Sequence, residues 1–213
     1  MSEHKIKTLS DIAPVGLEAL SNTTACVLDE ESKDPDGILV RSTKLNKGDL
    51  NQSLKAISRA GAGVNNIPID LCTERGIVVF NTPGANANAV KELVLASLML
   101  SSRNIFSSID FVNSLRHIEK MEELEPFLEE NKKKFKGREL SGSTLGVVGL
   151  GDIGSKVAGM GVALDMKVIG YDPALSVEAA WRLPSQVEPA DSIEEIFSRG
   201  DFITLHIPAI EST

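Results

Sequence analysis

Aromatic residues are scarce in this chain: seven Phe, one Trp and one Tyr among 213 residues. So few rings leave little from which to build the stacking platforms that single-stranded nucleic acid needs. Positive charge is also in deficit, with 22 Lys and Arg against 30 Asp and Glu and a formal net charge of −8. That balance argues against nucleic acid or an anionic membrane as partner. The two cysteines, Cys26 and Cys72, show no metal or redox spacing. The three histidines, His4, His117 and His206, form no ligand cluster. No metal site is expected, and Cys26, inside the apolar run Ala25–Leu28, reads as a buried thiol. Long apolar runs are missing too. The longest, Leu93–Leu100, is too short to span a bilayer, and the first residues lack the apolar stretch of a signal peptide. A cytoplasmic, metal-free protein is the expectation, and 42% apolar with 24% charged residues suits a globular one.

What the chain does have is glycine in a telling place. Gly149-Leu150-Gly151-Asp152-Ile153-Gly154 follows the apolar run Leu145–Val148, which reads as a buried strand. Ile153, Val157, Met160 and Leu164 then recur at helical spacing. Lys167–Tyr171 reads as a second strand and delivers Asp172 at its end. The order strand, glycines, helix, strand, acid is the fingerprint of a dinucleotide-binding βαβ unit. Gly149 permits the turn out of the strand, Gly151 lets the backbone approach a pyrophosphate, and Gly154 lets helix and strand pack closely. The helix start offers free N–H groups to the phosphates, with Asp152 and Ile153 taking part mainly through backbone. Pro173 keeps Asp172 extended. The Asp172 carboxylate can accept from both ribose hydroxyls of NAD, whereas a 2′-phosphate would oppose it. Two like charges about 4 Å apart cost roughly 4 kcal/mol at an effective dielectric of about 20, which predicts NAD over NADP.

Before this unit, strand and helix signals alternate. Ile38–Val40, Leu54–Ser58 and Gly76–Phe80 read as strands and Ile67–Glu74 as a short helix, implying a parallel sheet. Ligands of such sheets gather beyond the strands' carboxyl ends, which here hold Arg41-Ser42, Gly61-Ala62-Gly63 and Asn81 to Asn86. From Val90 to about Ile118 the pattern is helical, with Asn86 or Asn88 as N-cap. The stretch from Leu93 to Leu100 is apolar nearly all round and needs covering at a domain or subunit interface. Residues 119–136 are highly charged and read as a solvated connecting segment. After Asp172 come a short helix candidate, Asp191–Phe197, and a third strand, Phe202–Leu205. The expected organisation is α/β. Residues 1–85 form part of a substrate-binding domain. Residues 86–213 supply a linking helix and one βαβαβ half of a dinucleotide fold.

Several segments in order give the chain a family resemblance: Gly37–Ser42, Ser58–Asn66, Gly76–Pro83, Asn86–Glu92, Phe135–Leu140, the glycine fingerprint, Gly170–Pro173 and Leu205–Pro208. Together they resemble the D-2-hydroxyacid dehydrogenase family, and within it the D-3-phosphoglycerate dehydrogenase branch. The resemblance implies a flavodoxin-like substrate domain followed by a Rossmann domain. The implied reaction is the NAD-linked oxidation of 3-phosphoglycerate to 3-phosphohydroxypyruvate, at the head of serine synthesis. Matched to the family's motifs, Ala62 and Gly63 offer backbone N–H groups to the substrate carboxylate, and Ala62 also borders the cofactor. Arg41, with Ser42 beside it, reaches the phosphate end, and Asn86 lies beside the substrate. Ile207 and Pro208 lie on the cofactor side. His206 does not match the catalytic histidine and is expected to be structural. The family's catalytic Arg, Glu and His come from later segments, so no catalytic residue is assigned in this chain, which reads as an N-terminal part without turnover. A homodimer through the helix at 90–118 and the NAD domain is expected. Two other readings stay open: a reductase of glyoxylate or hydroxypyruvate, and a non-catalytic NAD-binding scaffold like the family's co-repressor branch.

Overall fold

The computed structural model describes residues 4–23 and 25–208. The chain divides into two compact units between Asn86 and Ala87. Among the described residues no helix is long and apolar enough to cross a membrane.

The first unit holds β1 (His4–Leu9), α1 (Pro14–Ser21), β2 (Cys26–Leu28), β3 (Gly37–Val40), β4 (Ala56–Arg59), α2 (Ile69–Glu74) and β5 (Val78–Phe80). All neighbouring strands pair in parallel, in the order β2-β1-β3-β4-β5. The register sets Ile38 beside Ile57 and Ile57 beside Val79, so one face of the sheet carries the core. Ile38, Val40, Ile57, Ile67, Cys72 and Ile77 are buried there. Each such side chain taken from water stabilises the fold by about 1.5–3 kcal/mol. Side chains alternate across a strand, and Val78 and Phe80 on the other face are 53% and 57% exposed.

Asp36 closes the amino ends of these strands. Its carboxylate accepts from the Lys5 N–H at 3.1 Å and from Lys55 Nζ at 2.8 Å, with His4 Nδ1 at 3.5 Å. The Lys55 hydrogen bond, then the Lys5 amide, hold its pKa at about 2.

The second unit runs through α3 (Ala87–Ser102), α4 (Ile105–Ser114), α5 (Met121–Asn131), β6 (Thr144–Val148), α6 (Asp152–Ala163), β7 (Lys167–Tyr171), α7 (Val177–Trp181), β8 (Val187–Pro189), α8 (Ile193–Arg199) and β9 (Phe202–Leu205). Its parallel sheet has the order β8-β7-β6-β9. Leu145, Val147, Val157 and Val168 form one buried layer with α3 and α6, and Val148, Ile169 and Ile196 form the other beneath α8.

Five expectations are corrected. The helical stretch from Val90 is two helices, because Asn104 adopts a left-handed φ of 51°. Asn tolerates that region, and its side chain donates to the Lys136 carbonyl at 3.2 Å while the Ser102 carbonyl accepts from Arg138 N–H at 2.9 Å. Residues 119–136 are not merely a connecting segment. They contain α5 and a 3-10 turn, and Phe127 and Phe135 lie against Phe111 of α4 at centroid distances of 6.0 and 4.9 Å. Asn88 is inside α3 rather than capping it, bonded to Glu92 and Lys91. Cys26 is only half-buried, on the outermost strand β2, whereas Cys72 is the buried thiol. The strand expected from Leu54 is β4, which begins at Ala56; the Leu54 N–H turns to the Asn51 side chain at 2.7 Å.

The Asp36 cluster fixes an acid response. A carboxylate whose pKa falls on folding contributes stability above its unfolded value and loses it as pH drops through the folded one. Stability is expected to fall between about pH 3.8 and pH 2 through this group. In Asp36→Asn that component of an acid-unfolding curve should disappear, and an unchanged curve would reject it.

Candidate functional site

Two anion receptors stand at the carboxyl ends of the two sheets, each built within its own unit. In the second unit, β6 runs into Gly149, whose φ is +86°. A side chain there would meet the His206 carbonyl oxygen at 2.7 Å and Ile207 Cγ2 at 2.9 Å. Gly154 is tighter still: a Cβ would lie 1.8 Å from the Gly149 carbonyl oxygen. The first turn of α6 is thereby pressed onto the end of β6. Gly151 is the opposite case. It caps α6 in an extended conformation, and a Cβ added there would meet nothing within 4 Å. The space in front of Gly151 is open, and the N–H groups of Asp152, Ile153 and Gly154 have no acceptor among the described residues. Unpaired amides at a helix start bind anions. The residues therefore fit a pyrophosphate.

Asp172 ends β7 half-buried. Its Oδ2 accepts from the Leu150 N–H at 2.8 Å and its Oδ1 from the Ala174 N–H at 2.9 Å. A carboxylate offers about four acceptor sites, so two remain for a diol. The carboxylate is thus both the brace of the glycine turn and a free acceptor. A cleft of about 580 Å³ opens beside it, walled by Leu150, Leu175, Leu183 and Val187. Ile207 packs on Gly149 from the loop after β9, with Pro208 exposed beyond it. His206 is half-buried. Its backbone N–H donates to the Val148 carbonyl at 2.7 Å, its Nε2 is 2.9 Å from Thr204 Oγ1, and burial lowers its pKa. These contacts are structural.

The receptor of the first unit works by a different device. The carbonyls of the Gly61–Gly63 loop are occupied one by one. Gly61 accepts from the Thr82 N–H at 3.0 Å, Ala62 from Asn81 Nδ2 at 2.7 Å, and Gly63 from the Arg59 guanidinium. The N–H groups of Ala62 and Gly63 have no acceptor among the described residues. With its acceptors consumed, the Ala62 and Gly63 donors free and the Arg59 guanidinium bonded to it, the loop is electropositive, which suits a carboxylate.

Arg41 and Ser42 sit on the neighbouring loop, exposed at the end of β3. Arg59 Nε and Asn66 Nδ2 both donate to the Arg41 carbonyl, at 3.1 and 3.3 Å, and Asn66 also reaches the Thr43 carbonyl at 2.8 Å. Ser10, at the end of β1, accepts from the Ser42 and Thr43 N–H groups at 3.2 and 3.0 Å. The Arg41 guanidinium has no partner among the described residues. Asn86 follows β5, exposed, and directly precedes α3. The structure thus gathers Arg41, Ser42, Ala62 and Gly63 at one sheet end. It gathers Gly149, Gly151, Asp152, Ile153, Gly154, Asp172 and Ile207 at the other.

Ser10, Arg59 and Asn66 carry the first receptor and were missed as site residues. Ser10 follows a strand whose Lys-rich alternation hides it. Arg59 and Asn66 lie in a segment legible as a loop, but nothing local shows that their side chains reach back to Arg41.

A family model described as the D-isomer specific 2-hydroxyacid dehydrogenase NAD-binding domain matches residues 102–213. The chain is 39% identical to the D-3-phosphoglycerate dehydrogenase of Methanocaldococcus jannaschii, over 100% of this chain and 38% of that protein. It is 40% identical to the hydroxypyruvate reductase of Thermotoga maritima, over 84% of this chain and 53% of that protein. Among solved structures it resembles the NAD⁺-bound 3-phosphoglycerate dehydrogenase of Entamoeba histolytica, with a TM-score of 0.73 and 28% identity, covering all of this chain and 65% of that one. The chain therefore spans only part of the length of the relatives it matches.

Two of the three fingerprint glycines, Gly151 and Gly154, should separate experimentally. Gly151→Ala has room and should change thermal stability little, the Ala-for-Gly cost at a cap being a few tenths of a kcal/mol to about 1, while blocking NAD binding. Gly154→Ala should destabilise by more than about 2 kcal/mol, as overpacked sites do. A denaturant titration paired with an NAD titration reads both, and equal stability losses would contradict the geometry.

Proposed function

The chain belongs to the D-isomer specific 2-hydroxyacid dehydrogenase family, with that family's NAD-binding domain over residues 102–213. On that premise we propose that it forms the substrate- and cofactor-binding part of an enzyme that oxidises 3-phosphoglycerate. Its cofactor is NAD, as the family's domain and NAD-bound structural relatives indicate. When bound, NAD accepts the hydride from C2 of the hydroxy acid. The protein's own part is to hold and orient: the α6 start and Gly151 take the pyrophosphate, and Asp172 takes the ribose diol. Ala62 and Gly63 take the substrate carboxylate.

The observation that carries the phosphorylated substrate is Arg41. Its guanidinium is free, its backbone is braced by Arg59 and Asn66, and it stands on the loop beside the free amides. A planar fork so placed suits a phosphate. A reductase of hydroxypyruvate or glyoxylate would give it no phosphate to meet.

The strand order β2-β1-β3-β4-β5 supports a flavodoxin-like reading of the first unit, and β8-β7-β6-β9 supports the first half of a Rossmann sheet. Parallel sheets are covered on both faces. The exposed Val78 and Phe80 therefore favour residues 1–213 as the N-terminal part of a longer enzyme. In this reading Asn86 contacts the substrate, and Ile207 and Pro208 belong to the cofactor side.

A homodimer is proposed through α4. Phe106, Ile109 and Val112 lie on its outer side at 66%, 50% and 58% exposure, with Leu93 of α3 also exposed. Sedimentation at micromolar concentration should find a dimer that Ile109→Glu dissociates; a wild-type monomer would reject this.

Calorimetry on the chain tests the substrate. It should bind 3-phosphoglycerate at least tenfold tighter than D-glycerate, and Arg41→Ala should erase the difference. Equal affinities would favour the reductase reading. No NADH should form from residues 1–213 alone. Asp172→Ala should weaken NAD binding and narrow the preference over NADP. By orphaning the Leu150 and Ala174 amides it should also cost about 1–3 kcal/mol of stability.

A further inference from the structure

Ser10 is strained. Its φ is +75°, a region that non-glycine residues enter rarely and that costs of order 1–3 kcal/mol. Strain of this kind persists where surrounding contacts hold it, and here all of Ser10's side-chain contacts go to one loop. The Ser42 and Thr43 N–H groups donate to Ser10 Oγ at 3.2 and 3.0 Å, and Thr43 Oγ1 lies 2.7 Å away. A hydroxyl oxygen has two acceptor sites and one proton. Both acceptor sites are filled by the amides, so the Ser10 proton must point at Thr43 Oγ1. That oxygen is then an acceptor towards Ser10, and its own proton is directed elsewhere. Thr43 is exposed, and its hydroxyl has no further partner among the described residues. Asn66 fixes the same loop from the other side, through the Arg41 and Thr43 carbonyls, and its contact with two acceptors settles which end of its amide is nitrogen.

We propose that Thr43 is a further substrate-binding residue, donating its hydroxyl proton to the phosphate held by Arg41, and that Ser10 is the positioning residue that orients it. This rests on the reading of Arg41 as the phosphate site. The strain at Ser10 then has a function: it places one hydroxyl where it removes two competing amides and directs a third donor outward. No charge is added, so the device sharpens the geometry of phosphate recognition beside the exposed Arg41 side chain.

Calorimetric titration of the chain with 3-phosphoglycerate and with D-glycerate tests this. Thr43→Val should weaken 3-phosphoglycerate about tenfold and leave D-glycerate unchanged, and Thr43→Ser should restore wild-type affinity. Ser10→Gly relieves the strained φ while leaving the exposed Ser42 and Thr43 amides to water, so its melting temperature should change little, yet it should lose at least as much affinity as Thr43→Val. The double variant should bind no more weakly than Ser10→Gly alone, because the Thr43 hydroxyl is already misdirected. Full affinity in Thr43→Val, or losses that multiply in the double variant, would overturn the proposal while Arg41→Ala still abolished phosphate preference. A wild-type chain without preference for the phosphorylated acid would instead overturn the Arg41 reading beneath it.

Discussion

No side chain fits between Gly154 and the carbonyl of Gly149, and the second unit is organised around that contact. With 1.8 Å between an added Cβ and the carbonyl oxygen, helix α6 can start only where glycine stands. The close approach holds α6 over β6 and packs Val157 and Ala158 into the layer with Leu145 and Val147. It also leaves the first amides of α6 facing the open space at Gly151. Asp172 braces the same turn from β7 through the Leu150 amide. The proposed cofactor site and local stability therefore share atoms. A mutation aimed at one must be read against the other, which is why Gly151, where space is free, separates them better than Asp172 does.

The first unit reaches the same end, free amides facing an anion, without a long helix or a close glycine contact. It does so by consuming acceptors. Thr82, Asn81 and Arg59 each take one carbonyl of the Gly61–Gly63 loop, and Arg59 and Asn66 take those of the Arg41 loop. The side chains that pair these carbonyls also decide which way the loop presents its donors. The carboxylate receptor proposed for this unit is a by-product of satisfying the backbone.

The glycine turn and Asp172 were legible in the sequence because their demands are local: a positive φ, a close approach, an extended residue before Pro173. The parallel sheets were legible from buried apolar runs such as Leu145–Val148. What escaped was set by distant partners. Asn104 breaks the helix because Lys136, 32 residues on, supplies an acceptor. Helix α5 hid behind its charges and Pro126, its helical face marked only by Phe127 meeting Phe111. Ser10 lies at the end of a strand whose Lys5 and Lys7 break the apolar pattern, and its role exists only once β1 pairs with β3. Local backbone chemistry can be read from a sequence. Side chains that satisfy the backbone of another loop cannot be, until the topology brings the strand ends together.

The two receptors divide the labour of specificity in the same way. In the proposed reading, the shared features of the ligands, a carboxylate and a pyrophosphate, meet backbone amides. The distinguishing features, a phosphate and a 2′-hydroxyl, would there meet single side chains, Arg41 and Asp172. Replacing one such side chain leaves the amides and the fold in place. That arrangement lets one scaffold serve several hydroxy acids, and relatives of this chain include proteins described as 3-phosphoglycerate dehydrogenase, hydroxypyruvate reductase and D-lactate dehydrogenase. Asp172 is the more constrained of the two, because its carboxylate also holds the Leu150 and Ala174 amides. Arg41, whose guanidinium holds nothing in the fold, is free to vary. Substrate choice on this scaffold should therefore drift faster than cofactor choice.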